Sequence, residues 1–583
     1  MEERKSLIRV ALGKQKADLV IANGNLVNVY SGELLAGVSI AVKGDKIAFV
    51  GKDAGHAVGE ETRVIDASGK IVAPGFIDGH FHLHMPLDEF IDHALPRGTT
   101  TVFLELDLAH YLGYKAGIAM LENMKNQPMK LFGLATFYGS QPPFLEQVGY
   151  ALSLKDYARL LERDDVAALG ESIWTGVLDE DQRAWTNIAA ALAKGKLAEG
   201  HSSGAKGNKL VAYAASGISS CHESVNLPEV MERLRLGLHV MIREGSIRRD
   251  LEAISGVKDQ SVDFRRLCLA TDSVNPGDLL SLGHMDFIVQ KAIRLGMDPI
   301  KVFQMVSLNT AEHFRMDHIT GGIAPGRCAD MVILPSLEKI ECEMVISNGQ
   351  IVAENGKALV RARRSSYPES VLNSIRVPGK LQPREFAVPA GDKKNRVTVR
   401  VMELIAELIT REAHVALPVV NGFVLPEPDN DVLKVSLVER LHNTGRTVTG
   451  FVRGFGLKSG AMACSYSWDL GSPLAVVGAS DRDMAAAVNR VVELQGGVVV
   501  ADKGRILAEA PHPVGGLIPV KKIEETVQEF KNIHQAIRQL GSSLGNPYMT
   551  LQTLSGTSLP FFRITLQGLV DLKGRKIVDL FVD

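Results

Sequence analysis

Cysteine is scarce in this chain. There are 5 in 583 residues (Cys221, Cys268, Cys328, Cys342 and Cys464), odd in number and with no CxxC spacing. That excludes a disulfide framework and a cysteine-ligated zinc site. Charge of one sign is lacking too: the formal net charge is −2, with no basic tract to suit nucleic acid or an anionic membrane. No apolar run approaches the roughly 20 residues that span a bilayer. The start, Met1-Glu2-Glu3-Arg4-Lys5, lacks the apolar centre of a signal peptide, so the expected compartment is the cytoplasm. Heptads and low-complexity tracts are also missing. At 45% hydrophobic and 23% charged residues the composition is that of a globular protein, and the length suggests three or four domains.

What is present is patterned. Residues 16–72 read as short strands, with Asn23-Gly24 and Gly44-Asp45 as separating turns. Ala17-Asp18-Leu19-Val20-Ile21 is echoed by Ala329-Asp330-Met331-Val332-Ile333, so residues 1–72 and 321–365 are expected to form one composite β-sandwich domain. Between them, 73–320 alternates strand and helix patterns. Eight strands are placed: Gly75–His82, Thr99–Leu106, Lys130–Phe137, Val166–Glu171, Lys196–His201, Ile218–Glu223, Leu238–Glu244 and Arg266–Asp272. The α/β class and a (β/α)8 TIM barrel follow. Residues 366–392, rich in Arg, Ser and Pro, read as a linker, and 393–583 as a further α/β domain.

The chemistry begins in Asp78-Gly79-His80-Phe81-His82. Residues i and i+2 of a strand share a face, so His80 and His82 aim at one point. Barrel active sites lie at the C-terminal strand ends. There the expected strands also carry Glu171, His201, His222 and Asp272. Each alone has an ordinary reading: a hydrogen-bonded histidine, a solvated carboxylate, a helix cap. Together, six nitrogen and oxygen ligands are too many for one tetrahedral ion and suit two divalent ions, Mn, Fe or Zn.

This constellation resembles the amidohydrolase superfamily through Pro74-Gly75-Phe76-Ile77-Asp78-Gly79-His80-Phe81-His82. It is similar, more narrowly, to the adenine deaminase family. Carrying segments include Leu95-Pro96-Arg97-Gly98-Thr99-Thr100, Glu199-Gly200-His201, Cys221-His222-Glu223, Ile242-Arg243-Glu244-Gly245-Ser246 and Gly450-Phe451-Val452-Arg453-Gly454-Phe455-Gly456. The resemblance implies a two-metal barrel that hydrolytically deaminates a purine base, a small heterocyclic substrate, and a homodimer. It also puts Asp272 beside the activated water as the proton-transfer group.

Three places depart from the family pattern. His84-Met85-Pro86 stands where a Glu-Ser-Ser sequence is usual, Ser273 where a second Asp is usual, and Trp468-Asp469-Leu470-Gly471-Ser472-Pro473 where a His-Asp-Ser-His-like cluster is usual. The ligands are kept while residues expected near substrate change. His84, on the strand face of His80 and His82, is read as a ligand or proton shuttle, or as a rim residue. Glu223 is an acid–base group, an orienting group or a surface carboxylate. Arg243 lines the pocket or closes an internal ion pair. Ser273, Arg243 and Trp174 are the expected substrate contacts. Phe137 and Tyr138 are further wall candidates, and His284 is expected to open a helix over the site. A different aminated heterocycle or a cyclic amide or imide is the alternative substrate. A non-catalytic metal scaffold is the third reading, against which the full ligand set argues.

Overall fold

The fifth and seventh residues after Gly75 are the histidine pair, and the backbone there is laid down by close packing. In the computed structural model a Cβ added to Gly75 would lie 2.2 Å from Thr100 Oγ1, so only glycine lets the first barrel strand (Phe76–Phe81) lie against its neighbour. The structure describes all 583 residues except 139–141, 143, 146–150, 392–394, 407, 470, 560 and 583. The chain divides into two units: Met1–Asp107 with Leu121–Gly139 and Leu154–Ser365, and Leu108–Met120 with Ser140–Ser153 and Ser366–Asp583.

In the first unit, all eight expected barrel strands form. Phe76–Phe81, Thr99–Glu105, Lys130–Ala135, Val166–Ile173 and Leu197–His201 pair in parallel in chain order. Ser220–Cys221, His239–Arg243 and Leu267–Ala270 form a second parallel set. Single backbone bonds close the ring: Ser219 N donates to Ala198 O (2.9 Å), Asp272 N to His80 O (2.9 Å) and His82 N to Asp272 O (2.8 Å). The second strand, Thr-Thr-Thr-Val-Phe-Leu-Glu, is buried at every position, as a parallel strand covered on both faces requires. Ile77, Phe103, Leu134, Met241, Cys268 and Phe314 join one apolar cluster, with Phe103 and Phe314 stacked at 3.7 Å between centroids. Helices follow with ordinary caps: Asp181 accepts from Ala184 N, and Asn226 from Glu229 N, ahead of Gln182–Ala193 and Leu227–Arg235.

The same unit holds a nine-stranded sheet drawn from both flanks of the barrel. Ile71–Pro74 pairs in parallel with Leu19–Asn28 and antiparallel with Met331–Leu334. It is one continuous hydrogen-bonded sheet rather than two separate ones. Asn23-Gly24 does not separate two strands as expected. Leu19–Asn28 runs through it, with register shifts on either side of Gly24 and Asn23 at φ 63°. Bulges of this kind bend a strand and raise its twist, and the sheet encloses a core that includes Ile21, Leu26, Ile40, Met331 and Ile346.

The second unit is built on a ten-stranded sheet. Side chains of Leu474–Gly478 alternate between its faces. Ala475 and Val477 pack with Ile533 and Ile537 of the helix Ile523–Gln539, while Leu474 and Val476 pack with Met484 and Val488 of Asp481–Glu493. The stretch expected to be a linker is partly ordered core. It carries a turn of helix at Glu369–Leu372, a 3-10 turn at Pro383–Phe386 and a fully buried Phe386. No helix among the described residues is long and apolar enough to cross a membrane.

Candidate metal centre

Six side chains meet at the C-terminal mouth of the barrel. Glu171 lies at their centre: its Oε1 is 2.9 Å from His80 Nε2, 3.2 Å from His82 Nε2 and 3.3 Å from His222 Nε2. Its Oε2 is 3.2 Å from His201 Nδ1. Asp272 Oδ1 sits 3.5 Å from Nε2 of both His80 and His82. One carboxylate thus faces three imidazoles through Oε1 and His201 through Oε2. His80, Glu171, His222 and Asp272 form one cluster able to hold a cation, and His201, His222 and Glu223 form another that shares His222.

The electrostatics call for positive charge there. Burial pushes the His80 imidazole down, but hydrogen bonds to Asp272 and Glu171 overcome it and lift it to about 10. Burial opposes the charged form of His201 as well, yet Glu223 and Glu171 raise it to about 9. Burial would raise Glu171 and Asp272. Instead His201 and His222 hold the first well below the usual carboxylate range, and Arg243 and His80 hold the second there. His201 Nδ1 and His222 Nε2 are buried and make no hydrogen bond. Ionised carboxylates beside imidazoles with open ring nitrogens fit divalent ions, which take the place of those protons.

Two further acids lie at the end of the second barrel strand, Glu105 as its last residue and Asp107 as the first of the helix Asp107–Leu112, and neither is among the expected site residues. Asp107 Oδ2 lies 3.0 Å from His82 Nδ1, and the Tyr138 hydroxyl donates to Asp107 Oδ1. Glu105 Oε1 accepts from Glu171 N at 3.3 Å and is 3.7 Å from His80 Nδ1; burial raises its carboxyl to about 7. The available signal was a pair of acids at i and i+2 in the apolar run Phe103-Leu104-Glu105-Leu106-Asp107. Such groups set the tautomer and ring orientation of a ligating histidine.

The remaining expected residues separate. The first strand ends at Phe81, so His84 lies beyond it, half-buried, with its ring centroid 6.5 Å from that of His82. Burial pushes its imidazole down to about 4. Glu223 Oε1 is 3.5 Å from His222 Nε2, 3.9 Å from His201 Nδ1 and in contact with Arg243 Nη1. Ser273 is buried beside Asp272, and its carbonyl accepts from Ser246 N at 2.7 Å. Trp174 follows the fourth strand; its Nε1 donates to Ser203 O (2.9 Å), and Lys209 Nζ stands 5.4 Å from its ring centroid. Phe137 is a core residue, edge-on to Tyr157 at 5.5 Å. His284 is not over the site. It is fully buried, 3.2 Å from Asp78 Oδ2, and Asp78 accepts from Thr271 Oγ1 (2.5 Å) and His80 N (3.2 Å). That network ties the first strand to Thr271, just past the end of the eighth. Residues 468–473 belong to the second unit, where Arg440 Nε donates to Ser472 O (2.6 Å); Leu470 lies outside the described residues.

Two family models match this chain: the amidohydrolase family over residues 71–359 and the adenine deaminase C-terminal domain over 407–576. A Moorella thermoacetica protein described as adenine deaminase is 39% identical over 99% of this chain and 98% of its own length. One from Clostridium botulinum is 36% identical over 100% and 98%, and one from Rubrobacter xylanophilus 37% over 99% and 98%, both under the same description. With this likeness running end to end, the chain belongs to the adenine deaminase family of amidohydrolases and is a hydrolase of carbon–nitrogen bonds other than peptide bonds.

Proposed function

We propose that this enzyme deaminates a purine base, adenine to hypoxanthine and ammonia, at a centre of two divalent ions held by His80, His82, Glu171, His201, His222 and Asp272. The observation that carries the reading is the position of Glu171, whose Oε1 faces His80, His82 and His222 while its Oε2 faces His201. Mn, Fe or Zn suit this mixture of imidazole and carboxylate. When bound, such ions supply hydroxide at neutral pH by lowering the pKa of water. Asp272 presents Oδ1 to that space and serves as the group that accepts the water proton and returns it to the leaving amine. Trp174 and Tyr138 give the base an aromatic wall, and Glu223 orients groups on the His201 side.

Full-length likeness to proteins described as adenine deaminases supports adenine as the substrate. His84 and Ser273, which depart from the family pattern next to His82 and Asp272, favour a second reading: another aminated heterocycle, or a cyclic amide or imide, attacked in the same way. The test is ammonia release from adenine by the manganese-loaded enzyme, alongside a panel of those compounds. Turnover of adenine supports the first reading. No ammonia at millimolar adenine, with turnover of a panel compound, replaces it with the second. Metal analysis near two equivalents per chain supports the paired centre; one equivalent rejects it. The homodimer remains a proposal, read out by the mass in solution.

A further inference from the structure

Arg243 ends the seventh barrel strand, is buried, and has no nitrogen left facing open space. Its Nη1 donates to Asp272 Oδ2 at 2.9 Å and to Glu223 Oε1. Nε and Nη2 each lie 3.5 Å from Asp250 Oδ2. Asp250 is held from its other side, where Oδ1 takes contacts at 3.3 Å from Arg248 Nε and Nη2, and its own N donates to Arg243 O at 3.0 Å. The loop 244–250 therefore turns back to bring Asp250 under the guanidinium.

That loop is also locked to the eighth strand. Glu244 N donates to Ala270 O (3.0 Å) and Ser246 N to Ser273 O (2.7 Å). A Cβ on Gly245 would fall 1.9 Å from Thr271 O and 2.4 Å from Ser273 O, so the two backbones touch on either side of Asp272. Asp272 itself has φ 64°, a left-handed conformation that costs a non-glycine residue energy and persists only where surroundings enforce it.

We propose that Arg243 is a positioning residue rather than a substrate contact: anchored by Asp250, it grips the outer oxygen of Asp272 and the near oxygen of Glu223, so that Asp272 Oδ1 is fixed toward the metal-side imidazoles. The inference rests on the role given to Asp272 above. The planar guanidinium reaches Asp272 and Glu223 through Nη1 and Asp250 through Nε and Nη2, a fixed fork that a lysine ammonium lacks. Its role is orientation: a reacting group displaced by about 1 Å loses on the order of 100-fold in rate.

The experiment compares wild type with Arg243→Met, Arg243→Ala, Arg243→Lys and Asp250→Asn, each checked for metal content. Arg243→Met is expected to lose roughly 100-fold in kcat with KM changed less than about threefold, as orientation predicts. Lysine recovers little, added guanidinium partly restores Arg243→Ala, and Asp250→Asn lowers kcat by about tenfold. A rise in KM at unchanged kcat, or full activity in Arg243→Met, overturns the clamp. The electron paramagnetic resonance spectrum of the Mn2+-loaded protein gives a readout independent of turnover. It should change between wild type and Arg243→Met as Asp272 is released, and an identical spectrum overturns the clamp. If Arg243→Met fails to fold, Asp250→Asn, which removes only the anchor, carries the same two measurements. Wild type inactive on adenine while the spectral change appears rejects the substrate reading and leaves the clamp standing.

Discussion

Asp107 Oδ2 lies 3.0 Å from His82 Nδ1, and this sets which nitrogen of His82 faces Glu171. With Nδ1 occupied by the carboxylate, Nε2 is the one turned to the centre, 3.2 Å from Glu171 Oε1. The Tyr138 hydroxyl, donating to the same Asp107, keeps that carboxylate in place.

Asp107→Asn should therefore weaken metal binding without unfolding the barrel. Loss of an outer partner of a ligating histidine costs about 10–100-fold in affinity. Competition with a chromophoric chelator measures it; unchanged affinity would show that His82 orients itself.

Ser273→Asp places a second acid next to Asp272, as the family pattern has it. If that acid reads a purine edge, kcat/KM for adenine should rise about tenfold or more, equivalent to one charge-assisted hydrogen bond. A steady-state comparison of adenine with one panel heterocycle checks it, and a fall for both would mean the extra charge only disturbs Asp272.

At the start of the seventh strand, His239 packs on His313 at 4.3 Å between centroids. Burial first, then His313 and Arg266, push its imidazole down from 6.5 to about 3, while Glu199 acts in the opposite direction. The unfolded chain thus takes up a proton near pH 6.5 that the folded chain refuses until about pH 3. Stability is whole above pH 6.5 and falls as pH drops through that window. His239→Gln should remove on the order of 1–2 kcal/mol of the loss between pH 7 and pH 5. Denaturant melts at the two pH values test it; equal slopes for both proteins would contradict the assignment.

Gly75→Ala inserts a methyl group 2.2 Å from the buried Thr100 Oγ1. Overpacking of this kind costs about 1–3 kcal/mol. It also shifts the strand that carries His80, so the melting temperature and metal content should fall together. Loss of one alone would separate packing from ligand geometry.

The barrel was legible because its strands are buried on both faces and read as apolar runs, five of the eight ending in a metal-capable residue. Asn23-Gly24 misled because a turn pair can also sit as a bulge inside a long strand, which only the partner strand Glu33–Lys43 decides. His84 misled because strand alternation was carried three residues past Phe81, where the strand stops. Glu105 and Asp107 were hidden because their meaning depends on which histidine lies across from them, and neighbouring strands, not sequence spacing, determine that. Arg243 was seen, but its three carboxylate partners lie 7, 20 and 29 residues away in the chain.

The strand Ile71–Pro74 leads straight into the histidine pair and is paired on one edge with Leu19–Asn28, on the other with Met331–Leu334. During synthesis that second edge stays open until the whole barrel has emerged. The histidine pair is therefore made early but is braced on both sides only when residues 331–334 arrive. Chain closure, long-range and slow by nature, thus comes only after Glu171, His201, His222 and Asp272 have all been made.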